Sequence, residues 1–82
     1  MKVEVIGTGC KTCKQLYELT LRAAEHIDGK VDVKYVSEEA GMKRLMQLGL
    51  MRSPVVAVDG HPVLIGYEPS VDRIRSLILG KE

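Results

Sequence analysis

Polar and apolar residues alternate along "KVEVI", residues 2 to 6, and the run is rich in Val and stops at Gly7. That period of two predicts a strand. From Lys11 the period changes. Leu16, Leu19, Ala23 and Ile27 are spaced three or four apart, which places them on one face of a helix from Lys11 to about Ile27. Asp28-Gly29 ends it, the glycine suiting a left-handed cap. A second stripe on that helix, Tyr17, Leu21 and Ala24, is expected to pack in the core. "VDVKYV", residues 31 to 36, reads as another strand, with Asp32 and Lys34 facing away from Val31, Val33 and Tyr35.

Ser37 then offers an N-cap, with Glu38 and Glu39 in the first turn, where the helix dipole favours acids. The helix that follows carries Met42, Leu45 and Met46 on one side, with Met42 and Met46 expected in the core, and ends near Gly49. "SPVVAVDGHPVLIG" reads as two short strands, 55 to 58 and 62 to 66, joined through the tight-turn pair Asp59-Gly60. Pro62 cannot donate to a ladder, so its strand is expected at a sheet edge. Ser70 caps a last helix in which Val71, Ile74, Leu77 and Ile78 share a face. The order is strand, helix, strand, helix, strand, strand, helix. A helix joins the first two strands, so they are expected to be parallel, and the closing hairpin makes the sheet mixed.

Eighty-two residues suffice for one domain spanning 1 to 82, near the size at which a single core is just adequate. There is no Trp and no Phe, so that core must be built from aliphatic side chains and Met. A net charge of +1 argues against a general nucleic-acid binder, which needs a basic excess. No apolar run reaches the roughly 20 residues of a membrane span. "MKVEVIG" is not a secretory signal, so a cytoplasmic location is expected. In a reducing compartment, Cys10 and Cys13 read as redox or metal chemistry rather than as a structural staple.

Small copper- and heavy-metal-binding domains also open with a strand, a C-x-x-C loop and a helix, and up to Val36 the chain fits them. Beyond it a capped helix stands where those domains turn back through a hairpin. The segment before the pair is Thr8-Gly9-Cys10 where they usually carry Met-x-Cys. The whole pattern instead resembles the thioredoxin fold in its glutaredoxin-sized form. More narrowly it resembles the small redox-active disulfide proteins of archaea and bacteria. "GTGCKTC" after the first strand and "SPVVAVDG" at the third carry that resemblance, which runs from Met1 to about Leu79.

The resemblance implies an α/β βαβαββα fold, a four-stranded mixed sheet with helices on both faces. It implies a thiol–disulfide oxidoreductase with no bound cofactor and no metal. Cys10 is then the nucleophile and Cys13 the resolving thiol; Ser53 and Pro54, joined by a cis peptide, hold an extended substrate beside them. Arg52 and Met51 flank that loop, and Lys11 and Lys14 tune the thiolate. Disulfide-containing proteins or small disulfides are the implied partners, with a flavoprotein disulfide reductase as electron donor and a monomeric state. Glutathione use is not expected, because the glycine pair that helps glutaredoxins hold it is reduced here to Gly66 before Tyr67. Two other readings use the same pair: soft-metal handling through the two thiolates, with Met51 as a further ligand, and a non-enzymatic redox sensor. His26 and His61 read as surface residues.

Overall fold

In a computed structural model describing residues 1–80, the first alternating run forms β1 (Lys2–Ile6), an interior strand. β2 (Asp32–Val36) pairs with it in parallel, and β3 (Val55–Val58) pairs antiparallel on its other side. β4 (His61–Ile65) lies outside β3, so the sheet is mixed and ordered β2-β1-β3-β4. Alternation along β1 sends Val3 and Val5 to one face and Glu4 and Ile6 to the other. On the first face α1 (Lys11–Glu25) and α3 (Val71–Ile78) bury Leu16, Ala23, Ile74 and Ile78 against Val3, Val5 and Val56. On the second, Leu45 of α2 (Glu38–Gln47) covers Ile6, Val55 and Ala57. The helices thus lie on both faces, as the resemblance implies.

The hairpin turn has positive φ at both central residues, +49° at Asp59 and +84° at Gly60, the two-residue form that matches strand twist. Asp59 also anchors the turn to β1. Its Oδ1 accepts the Lys2 N–H at 2.9 Å, and its own N–H donates to the Lys2 carbonyl at 2.8 Å. Asp59→Ala removes that acceptor and leaves alanine in a left-handed conformation. It is expected to cost about 1–2 kcal/mol, seen as a lower urea midpoint at unchanged slope. Pro62 lies on the edge strand, opposite Ala57, where the register shifts.

Several expectations need correction. α1 ends at Glu25, before Ile27, because its last turn tightens: His26 and Ile27 donate to the carbonyls three residues back, of Ala23 and Ala24, at 3.1 Å. Its buried face also includes Thr20, whose hydroxyl is satisfied by the Leu16 carbonyl at 2.7 Å, while Leu19 is only half-buried. The second stripe joins the core only in part: Tyr17 is half-buried and packs against its edge. Tyr17 stacks on Tyr35, with ring centroids 4.9 Å apart, and Leu21 and Ala24 line an open groove with Val31 and Val33. β2 is an edge strand, so no neighbouring strand lies beyond it to cover them.

Ser37 occupies the N-cap position of α2 but makes no side-chain cap bond, and Glu38 after it has φ +57°. Met42 and Met46 are not core residues; they are 56% and 77% exposed. The buried line of α2 is Gly41 and Leu45, one turn apart. A residue further along points about 100° round the helix, away from the sheet. α2 is also clamped to β1 by Arg44, whose Nε and Nη2 donate to the two carboxylate oxygens of Glu4 at 3.1 and 2.9 Å. The Glu4 hydrogen bond and charge further favour the ionised guanidinium.

Candidate active site

Cys10 is the N-cap of α1, with extended backbone at φ −75° and ψ 166°. Its Sγ takes the part that a serine or aspartate oxygen usually takes there, accepting the Cys13 N–H at 3.3 Å. It is also 3.3 Å from the Thr12 hydroxyl. Cys10 and Cys13 form a disulfide with Cα atoms 5.2 Å apart, so that sulfur carries no proton and the hydroxyl is the donor. The first turn of α1 contains Lys11 and Lys14, both exposed, and no acidic residue.

The two sulfurs are not equivalent. Cys10 is exposed, whereas Cys13 is 0% accessible. Cys13 rests on Gly7: a Cβ at Gly7 would fall 2.6 Å from the Cys13 Sγ and 2.7 Å from its Cβ. Gly7 is fixed in turn by its N–H to the Val36 carbonyl at 2.9 Å, and its own carbonyl packs directly on Gly41 of α2. Two glycines therefore form a stack between the buried sulfur and the helix on the opposite face. Gly9, just before Cys10, has φ +86°, and a Cβ there would meet the Glu38 Cγ at 3.2 Å.

The Ser53–Pro54 peptide is cis. Pro54 is buried, and its carbonyl accepts the Gly66 N–H at 2.7 Å, while Ser53 remains partly open. Ser53, Arg52 and Met51 line one groove with Thr8 from the cysteine loop and with Met42 and Met46 from α2. The structure thus brings the loop before Pro54 together with the segment leading into Cys10. Lys11 and Lys14 are not part of that groove's lining.

Reading the sequence missed Gly7, Gly41, Thr12 and Glu38 as neighbours of the site. Gly41 carried a usable signal, since a glycine inside a helical pattern costs about 1 kcal/mol relative to alanine and points to a packing reason. The others gave none.

Among the described residues, no three His, Cys, Asp or Glu side chains are grouped as a metal site would need. No helix in that range is long and apolar enough to cross a membrane.

A cysteine pair at a helix N-terminus, joined as a disulfide, on a mixed four-stranded sheet whose third strand is preceded by a cis-proline, defines a thioredoxin-like thiol–disulfide redox protein. The chain belongs to that family: the family model described as Thioredoxin domain matches residues 1–79. A thioredoxin of Methanothermobacter thermautotrophicus is 27% identical over 78 residues, covering 95% of this chain and 97% of that protein. No solved structure matches the chain.

Proposed function

We propose that the chain, as a single domain, is a thiol–disulfide oxidoreductase in which Cys10 attacks and Cys13 resolves. One observation carries this reading: the pair has one exposed sulfur at a helix N-terminus and one wholly buried sulfur behind it. In the reduced protein, the Cys13 N–H and the Thr12 hydroxyl are placed to donate to a Cys10 thiolate. The helix dipole and Lys11 and Lys14 favour the same charge. Burial opposes ionisation of Cys13.

The Cys10 thiolate attacks one sulfur of a partner disulfide, forming a mixed disulfide and expelling the partner's other sulfur as a thiolate. Cys13, giving up its proton, attacks the Cys10 sulfur, re-forms the internal disulfide and releases the second thiolate. Two electrons pass to the partner, which leaves as two thiols once its thiolates are protonated. Ser53 and Pro54, flanked by Arg52 and Met51, hold the partner segment during exchange. The partners are disulfide-containing proteins or small disulfides, and a flavoprotein disulfide reductase supplies the electrons. The protein works as a cytoplasmic monomer without a bound cofactor.

Redox titration tests this. In buffers of graded dithiothreitol ratio, both thiols are expected to appear together in a single two-electron transition, with tenfold changes in the equilibrium spaced about 30 mV apart. A pair that never reduces, or one soft metal ion held per chain under reducing conditions, would contradict it. Millimolar glutathione is expected to reduce the disulfide slowly and without saturation, because Gly66 is followed by the exposed Tyr67 rather than by a second glycine. Fast, saturable reduction is the opposing result.

A further inference from the structure

The two edges of the sheet are built differently. On β4, Pro62 has no N–H to offer and the register shifts at Val56/Ala57, and both features hinder the addition of another strand. β2 has neither device: its five residues stay in register with β1, and none of them is buried. Its backbone phase is fixed. Asp32 donates its N–H to the Met1 carbonyl at 3.0 Å, and the Val36 carbonyl accepts the Gly7 N–H at 2.9 Å. Residues 32, 34 and 36 therefore turn their backbone groups inward to β1. Val33 and Tyr35, with Val31 before them, turn theirs to the open edge.

We propose that this edge takes a second copy of the chain, β2 against β2, antiparallel and centred on Val33. In that register the two Val33 residues exchange N–H···O=C bonds, and Val31 of each copy does the same with Tyr35 of the other. Asp32 of each copy then faces Lys34 of the other, at the closely spaced positions where opposite charges stabilise a pair. Within each chain Lys2 already stands beside Asp32, and Glu4 beside Lys34. Charges therefore alternate across the joined sheet: Lys2, Asp32, then the second copy's Lys34 and Glu4. Moving the centre by one residue sets Lys34 against Lys34 or Asp32 against Asp32, so the charges select one register. On the other face, the groove of Leu21, Ala24, Val31 and Val33 meets its own copy across the two-fold axis. That covers two α1 side chains, Leu21 and Ala24, which the core leaves out. One strand pair is a small contact, of the transient class below about 1,200 Å². The monomer therefore prevails at low concentration and remains the unit of exchange, since Cys10 and Cys13 lie in α1 and its cap, outside the paired strand.

The oxidised protein, whose cysteines are already joined, is followed by sedimentation equilibrium from about 10 µM to about 1 mM. The wild-type mass is expected to rise from 9.1 kDa toward twice that, with exchange of the Val33 and Tyr35 amides slowing as it does. Lys34→Asp and Asp32→Lys each place like charges opposite one another and are expected to stay monomeric. Their equimolar mixture restores both charge pairs and is expected to dimerise at least as well as the wild type. Thermal midpoints identify any loss of fold, since the variants also set like charges beside Glu4 or Lys2. The wild-type mass and amide protection stand independently of them. A mass that stays at one chain throughout would overturn the proposal and leave the edge to an extended segment of another protein. So would a dimer that both variants retain, or a mixture that stays monomeric.

Discussion

Gly41→Ala is expected to destabilise the protein, although alanine is the better helix former. In a mid-helix position open to solvent, the same substitution stabilises by roughly 1 kcal/mol. Here the added Cβ would run into the Gly7 carbonyl oxygen and come within 2.9 Å of the Val36 carbonyl oxygen. Both are backbone atoms in or beside the sheet, so neither can swing aside as a side chain would. Overpacking of this kind costs about 3 kcal/mol. A chain of this length has roughly 4–12 kcal/mol of stability in total. The damage is expected to extend to the chemistry, because the residue pushed is the one on which the Cys13 sulfur rests. Urea unfolding reads the first effect, and the rate of reduction of the Cys10–Cys13 disulfide by dithiothreitol reads the second. A variant as stable as the wild type would show that α2 does not press on Gly7. Gly49→Ala is the control: its φ of +72° brings backbone strain, but a Cβ there meets nothing within 4 Å, so a cost of about 1–2 kcal/mol is expected with the site undisturbed.

Cys13→Ser is expected to accumulate mixed disulfides with protein partners, whereas Cys10→Ser traps almost none. In the first variant the exposed Cys10 can still attack, but no thiol remains to displace the partner. In the second the only thiol left is fully buried against Gly7, where an incoming disulfide cannot reach it. Mass spectrometry after quenching with acid separates the two outcomes. Trapping in equal amounts would contradict the roles. So would faster alkylation of Cys13 than of Cys10 in the reduced wild type.

Much of this was legible along the chain. The alternation at Lys2–Ile6 and the spacing from Leu16 to Ile27 fix a strand and a helix around the cysteine loop, and Asp59-Gly60 fixes the hairpin. The four-stranded mixed sheet follows from that order. What periodicity could not decide is which of two adjacent stripes on a short helix faces the sheet. On α2 the pattern favours Met42, Leu45 and Met46, yet a glycine is the contact point, because the helix comes so near the backbone of Gly7 that no side chain fits. Hydropathy rates a glycine low and a methionine high, so it points the wrong way here. The same limit hid the groove beside Ser53, whose lining includes the two outward-turned methionines. At the cysteine pair, spacing alone did not decide between redox and metal chemistry. That Cys13, one turn inside the helix, is the more buried of the two agrees with its position, but its close packing on Gly7 could not be read from spacing.

The most direct measurement is catalytic reduction of insulin disulfides with dithiothreitol as the electron source. Catalytic amounts of the wild-type protein are expected to accelerate the reaction in proportion to their concentration, and Cys10→Ser is expected to fall to the uncatalysed rate. No acceleration by the wild type, or equal acceleration by Cys10→Ser, would contradict a thiol–disulfide oxidoreductase working through Cys10.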